Sequence, residues 1–475
     1  MRGKGGLRLF GFALVLLVLD SFAMGQITTP VVMVSDVHLD PLRDPGKAAR
    51  LAAAPVTEWD AILKEPDTLN QVDAFAAIQQ GCGARGLDSD ARLLSWSLHE
   101  AAAHAHGAGF VLVSGDLLVH AFECRYKVAF KGEAGFATFA EKTASYVMAE
   151  VEHAFPKIPV YFALGNNDSV CGDYHLDAHD RFFTATSATV LRGMAGAGVG
   201  ELAQARKDYE AEGNYSAALP RMRNTRLLVL NDNYLSRLYK NCGGAKEEEG
   251  PAATAAWLAH ELEAARAKGE HAWVMGHIPP GVDVYSTMAR MRDVCGVQGP
   301  QVFLEDDRLS GLLAKYADVV KLAIFGHTHM DELRVIRSAA EKGVGVPVKL
   351  VASVSPIDGN VPSFTVGEVD RATGGLRDYV VYAATDKTGN GPWKRDYSFG
   401  STYGQKEFSY PVVAHLVDSF GKDRVGGEPL SRAYIKEFFK GGISPLLLVW
   451  PEAVCGMKET TATGYKSCSC ETTAN

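Results

Sequence analysis

The chain has 475 residues, 47% hydrophobic and 22% charged, with a formal net charge of -8. That balance excludes an intrinsically disordered chain, and the lack of a strict glycine period excludes a collagen-like one. Lys and Arg number 48 against 56 Asp and Glu, so no basic footprint marks a binder of nucleic acid or anionic membrane, and any bound anion must be attracted locally.

Arg2, Lys4 and Arg8 precede an apolar run at 9–19, and Ala23-Met24-Gly25 then offers small residues at the spacing a signal peptidase reads. The run is about half of the roughly 20 apolar residues needed to span hydrocarbon, and Asp20 ends it. Residues 1–25 are therefore expected to be a cleaved signal peptide, which predicts a secreted or periplasmic protein without a stable membrane span. Their removal takes away three cations and one anion, making the remaining chain more acidic. In an oxidising compartment the eight cysteines, Cys82, Cys124, Cys171, Cys242, Cys295, Cys455, Cys468 and Cys470, are expected to pair. One local link is predicted, from Cys455 to Cys468 or Cys470. Asn214-Tyr215-Ser216 is a glycosylation sequon.

Short apolar, β-branched runs at 31–34, 110–113, 159–164, 227–230, 272–275 and 319–325 read as buried strands. Helical patterns lie between them at 91–106 and 254–268, the second with Trp257, Leu258, Leu262 and Ala265 on one face and Gly269 as its stop. Strands alternating with helices predict a layered α/β domain. Further strand candidates occur at 348–354, 364–369 and 378–382. The more polar remainder carries a helix candidate at 430–439 and the last three cysteines.

The residues that carry chemistry sit at the carboxyl ends of these strands. The first runs into Ser35-Asp36-Val37-His38, the second into Ser114-Gly115-Asp116 and the third into Gly165-Asn166-Asn167-Asp168. The strand at 272–275 runs into Gly276-His277, and that at 319–325 into Gly326-His327-Thr328-His329. In α/β sheets ligands bind beyond the carboxyl ends of the strands, so these five tips can converge on one metal centre. Glycine before Asp116, Asn166, His277 and His327 lets the chain turn sharply and brings the next side chain close to an ion. Asp36 and His38, two apart, point to the same side of an extended chain. By contrast, His99, His104 and His106 lack the i, i+4 step of a helical ligand pair and read as a solvated helix end.

In these motifs and their order, residues 31 to about 366 resemble a calcineurin-like metallophosphoesterase. Gly115-Asp116-Leu117-Leu118-Val119-His120, Gly276-His277-Ile278-Pro279-Pro280-Gly281 and Ser355-Pro356-Ile357-Asp358-Gly359-Asn360 narrow the likeness to the acid sphingomyelinase-like phosphodiesterase and endopolyphosphatase branch. The resemblance implies an α/β fold, a β-sandwich flanked by helices in four α/β/β/α layers, with a smaller, mainly helical, cysteine-bearing C-terminal region. The expected divisions are 1–25, a catalytic domain at 26–366 and a C-terminal region at 367–475. The resemblance also implies two metal ions, one held by Asp36, His38 and His329, the other by Asn166, His277 and His327, with Asp116 between them.

Two dications bridged by a carboxylate lower the pKa of a shared water, so that hydroxide can attack phosphorus near neutral pH. Imidazole, carboxylate and amide donors without thiolate suit zinc, manganese or iron, and zinc is favoured outside the cell. Most family members carry histidine where this chain has Asn167, which cannot act as an acid near neutrality. Asn167 is expected to hydrogen-bond a phosphate oxygen. His120 matches the second histidine of the sphingomyelinase-like branch and is the candidate acid, and Asp168 is expected to orient a neighbouring ligand. No tyrosine occurs in 115–119 and no Asp-Arg-Gly comes after Asp116, which argues against purple acid and serine/threonine protein phosphatases. By the same resemblance, no room remains for a saposin domain before the first strand, favouring a small phosphodiester, nucleotide or polyphosphate substrate. The expected function is a secreted dinuclear-metal phosphohydrolase cleaving phosphodiester or phosphoanhydride bonds. Alternatives are an endopolyphosphatase or nucleotide phosphatase of the same fold, or a non-catalytic metal-binding receptor, which the filled ligand positions disfavour.

Overall fold

The computed structural model describes residues 28–473 together with Met1 and Gly3, so the expected signal segment lies outside the described residues apart from those two. The strands are β1 (Thr28–Val34), β2 (Phe110–Val113), β3 (Val160–Phe162), β4 (Tyr215–Ala218), β5 (Thr225–Val229), β6 (His271–Met275), β7 (Val320–Phe325), β8 (Glu332–Arg337), β9 (Gly345–Leu350), β10 (Ser363–Asp370), β11 (Leu376–Ala384) and β12 (Trp393–Ser398). They form two six-stranded sheets, ordered β12-β11-β10-β1-β2-β3 and β4-β5-β6-β7-β9-β8.

Within the first sheet β1, β2 and β3 run parallel, with Val31 beside Phe110 and Val111 beside Val160. In the second, β5, β6, β7 and β9 run parallel. Side chains alternate across the second sheet as the strand period of two requires. Leu227, Val229, Trp273, Met275, Leu322 and Ile324 join the large core shared with the first sheet. Their neighbours Leu228, Val274, Ala323 and Phe325 pack with Leu258 and Leu262 of helix Glu249–Lys268 and Leu309 and Leu313 of helix Arg308–Lys315. Helices Ala91–His104 and Phe136–Ala154 contribute to the core around the first sheet, completing the expected four layers. The former starts where the Asp90 side chain accepts a hydrogen bond from Leu93 N–H, satisfying one of the helix's free donors.

The first sheet runs on through β11 and β12, so the expected division at residue 366 falls inside β10. Beyond β12, helices Tyr410–Phe420 and Trp450–Lys458 pack against β8, and Val413, Val417, Phe420 and Trp450 belong to the main core. Four disulfides join Cys82 to Cys124, Cys171 to Cys242, Cys295 to Cys470 and Cys455 to Cys468. The last is one of the two local links expected. Asn214 is fully buried and its Oδ1 accepts from Asn231 N–H at 2.8 Å, so the folded chain leaves no room for a glycan on it. Among the described residues no helix is long and apolar enough to cross a membrane.

Candidate metal centre

The tips of β1, β2, β3, β6 and β7 bring the seven expected donors together. Asp36, His38, Asp116, Asn166, His277 and His329 are buried and His327 is half-buried. One donor atom each of Asp36, His38 and Asp116 lies within 4.8 Å of the others, and the same holds for Asp116, His277 and His327. His329 Nε2 stands 3.1 Å from His38 Nε2 and 3.4 Å from Asp36 Oδ1. Asn166 Oδ1 is 3.2 Å from His277 Nε2 and 2.9 Å from His327 Nδ1. Two donor sets thus share Asp116.

The ring orientations are set from behind. His38 Nδ1–H donates to the Leu118 carbonyl and His277 Nδ1–H to that of Ser114, each at 2.8 Å. A carbonyl only accepts, so each proton is placed on Nδ1 and the Nε2 atom is turned into the centre. Asp36, His38, Asp116, His327 and His329 all have left-handed backbones, with φ between 46° and 70°. For residues with a Cβ such conformations cost roughly 1–3 kcal/mol each, a strain the surrounding sandwich sustains where side chains must converge. Of the preceding glycines, Gly115 has φ 96°. Gly165 instead leaves space, since a Cβ there would collide with the Asp116 carboxylate.

Electrostatics fit a cation. Burial disfavours the charge on His277, but Asp116, joined by Asp36 and Asp232, outweighs it and raises the His277 pKa to about 10, while His277 and His38 hold Asp116 well below the usual carboxylate range despite its burial. Burial likewise opposes charge on His329, which Asp36 raises to about 9. Burial pushes Asp36 up and His38 down, the latter to about 3. The centre therefore balances buried carboxylates with imidazolium charge, a balance that divalent cations would take over on displacing those protons. The nitrogen, carboxylate and amide oxygen donors suit such ions.

Asn167 donates its backbone N–H to Asp116 Oδ1 at 2.9 Å and its side-chain N–H to Oδ2 at 3.0 Å, so its amide faces the shared carboxylate. Asp168 accepts from the N–H groups of Leu117, Leu118 and Gly165. It thereby fastens the β2 and β3 tips together. His120 stacks on His38 with ring centroids 3.8 Å apart, and its Nδ1 lies 3.1 Å from Asp88 Oδ1. Burial opposes its charge, yet the Asp88 hydrogen bond and carboxylate raise its pKa, and its side chain stays 35% exposed.

Residues 29–331 match the profile of the calcineurin-like phosphoesterases. The chain belongs to the calcineurin-like phosphoesterase family. It is thereby a hydrolase of phosphoric esters, and its family implies two divalent metal ions. This phosphoesterase is 25% identical over 384 residues to acid sphingomyelinase-like phosphodiesterase 3b of Homo sapiens, covering 76% of this chain and 75% of that one. To the cyclic GMP-AMP phosphodiesterase of Bos taurus it is 23% identical over 285 residues, 58% of this chain and 59% of the relative. It spans 40% of the sphingomyelinase phosphodiesterase D of Dictyostelium discoideum, at 24% identity over 37% of its own length. A solved dimetal phosphatase from Danio rerio covers 80% of this chain and is itself 99% covered, at 12% identity and a TM-score of 0.43.

Sequence reasoning missed four carboxylates around the centre. Asp232, just beyond β5, accepts from His277 N–H and Ile278 N–H. It comes after 227–230, the one of the six buried-strand runs to which no chemistry was assigned, and that gap was the available signal. Asp358 Oδ2 stands 3.0 Å from His329 Nδ1, and lies in a motif already singled out. Asp88, beside His120, and Asp173, beside Asn166, sit in loops with no pattern to mark them.

Proposed function

We propose that the chain is a secreted phosphodiesterase holding two transition-metal ions, zinc favoured, one on Asp36, His38 and His329, the other on Asn166, His277 and His327, with Asp116 shared. The convergence of two donor sets on one carboxylate carries this reading. When bound, such a pair neutralises phosphate oxygens and lowers the pKa of water for attack on phosphorus. Asn167 holds Asp116 in register through two hydrogen bonds. His120, with Nδ1 engaged by Asp88, keeps Nε2 to deliver a proton to the departing oxygen. The four disulfides support an extracytoplasmic location.

The substrate reading rests on a cleft of about 470 Å³ that touches His327 and Asp358. Its walls include Phe303, Met330, Tyr434, Phe438, Leu446 and Met457, so the C-terminal helices help to form it. Asp283 and Glu332 also line it, and its cation Arg334 is paired with Glu332 at 2.8 Å. A polyphosphate chain would meet apolar walls and carboxylates there, whereas a phosphodiester with an apolar ester group would find complementary surface. That favours the phosphodiesterase over the endopolyphosphatase alternative.

The test is metal content and activity of the purified chain on bis-p-nitrophenyl phosphate, p-nitrophenyl phosphate, ATP and polyphosphate. We expect about two ions per chain and preference for the diester. A folded, metal-free protein that still cleaves the diester would end the metal reading, and preference for polyphosphate would end the substrate reading.

A further inference from the structure

Asn166 presents an electronic ambiguity that its own side chain does not resolve. One end of its amide is an acceptor and the other carries two donors, and only the oxygen can serve a cation. Which end faces the centre is decided by the groups around it. Asp173 Oδ1 lies 2.7 Å from Asn166 Nδ2. An ionised carboxylate only accepts, so this bond turns the amide nitrogen outward and Oδ1 towards His277 and His327. The reversed amide would set oxygen against the carboxylate of the exposed Asp173 and leave the oxygen of the buried Asn166 without a donor.

The next residue acts on the neighbouring donor. Tyr174 N–H donates to the Asn166 carbonyl at 2.9 Å, and its hydroxyl lies 3.5 Å from His327 Nε2, opposite the Nδ1 that faces Asn166. Tyr174 and Phe303 both meet the His327 ring edge-on. Asp173 and Tyr174 lie on a tight loop, with φ 98° at Gly172 and 58° at Tyr174. That loop is fastened at two points, by the Cys171–Cys242 disulfide and by backbone hydrogen bonds of Tyr174 and Leu176 with Lys240.

We propose that Asp173 is a positioning residue that locks the Asn166 amide with its oxygen towards His277 and His327, and that the Cys171–Cys242 disulfide holds Asp173 in place to do so. The inference rests on the metal reading above and goes beyond it by making one ion position, and not the other, depend on this loop. The Asp36, His38 and His329 position has no contact with Asp173 in this scheme.

The experiment titrates metal-free protein with Zn²⁺ against a competing chelator, alongside melting temperature in the absence of metal. In Asp173→Ala, one of two Zn²⁺ equivalents should weaken by roughly 10–100-fold, as removal of a group supporting a metal ligand typically does. Asp173→Asn, which keeps an oxygen able to accept from Asn166, should restore most of that affinity. Unchanged affinity for both equivalents in Asp173→Ala overturns the proposal. So does an Asp173→Asn protein as weak as Asp173→Ala, because a lost acceptor would then not be the cause. If the alanine protein does not fold, Asp173→Asn decides alone, retention of both equivalents supporting the lock and loss of one overturning it. A parent chain that takes up no Zn²⁺ overturns the metal reading and this inference together, which separates that failure from the others.

Discussion

The two halves of the donor set are locked by different means. In the half with Asp36, His38 and His329 the first two are fastened from strand tips, where Leu118 fixes the His38 ring, Ser35 Oγ donates to Asp36 at 2.5 Å and His327 N–H reaches Asp36 Oδ1 at 3.1 Å, while His329 has the loop side chain Asp358 at its Nδ1. The half with Asn166, His277 and His327 shares that method at His277, held by Ser114. For Asn166 and His327, however, it relies on side chains of a loop pinned by a disulfide. Interlocked strand tips move only with the sandwich, whereas a loop can loosen alone. Two sites that share a carboxylate therefore need not be equally robust.

Asp116→Asn should produce the largest effect because it strikes both halves at once. Loss of metal binding at both positions is expected, with kcat/KM on the diester falling roughly a thousandfold or more, the equivalent of several kcal/mol of lost charge stabilisation. If one ion stays bound with parent affinity, the sharing of Asp116 is wrong.

A double Cys171→Ser, Cys242→Ser substitution should separate the halves. The link closes a sequence separation of 71 residues, and losing a native disulfide typically costs about 2–5 kcal/mol. A lower melting temperature is therefore expected whatever the site does. The diagnostic is metal stoichiometry at a temperature where the protein remains folded: one equivalent should weaken and the other persist. Simultaneous weakening of both would show that the halves are locked in common.

His120→Ala lies outside both donor sets and should spare metal content. Its effect should depend on the leaving group, with a loss of order 10²-fold for esters of poor leaving groups and a smaller one for p-nitrophenolate, which departs without a proton. Equal losses for both would mean that His120 serves only as packing against His38.

The contrast between strand tips and loops also marks what could be read from the sequence. β1, β2, β3, β5, β6 and β7 were legible because their short apolar runs are buried, and all but β5 displayed donor motifs at their tips. The strands that went unread, β4, β8 and β12, are all sheet edges. Such strands tolerate polar and small residues: Trp393–Ser398 is rich in charge, and Glu332–Arg337 buries an internal Glu332–Arg334 ion pair. The seven donors were legible because each lies within a few residues of a strand end. Asp88 and Asp173 were not, since their roles arise from long-range approach to His120 and from a loop turn, neither of which leaves a period in the chain. Glycine before a donor serves two different ends, only one of them foreseeable from the motif: Gly115 turns the chain, but Gly165 is needed for the space that Asp116 fills.

The smallest effect is expected at Asp370, which tests whether acid sensitivity can be moved without touching either half. Strand β10 runs antiparallel to β1 and pairs Asp370 with Thr28, at the end of β1 away from Asp36. Its carboxylate accepts from Ala372 N–H and Thr373 N–H at 2.9 Å and from Arg377 at 2.7 Å. Burial opposes its charge, but these partners, Arg377 foremost, lower its pKa to about 2. A carboxylate whose folded pKa is depressed contributes stability above its unfolded pKa of about 4, and that contribution is lost as pH falls through the folded value. Asp370→Asn should therefore melt lower than the parent at pH 7, and the gap should close between roughly pH 4 and 2. Zn²⁺ stoichiometry and diester cleavage should stay at parent levels. A constant gap across that range would mean that the loss is packing alone, and altered metal binding would mean that the far end of the sheet is coupled to the centre.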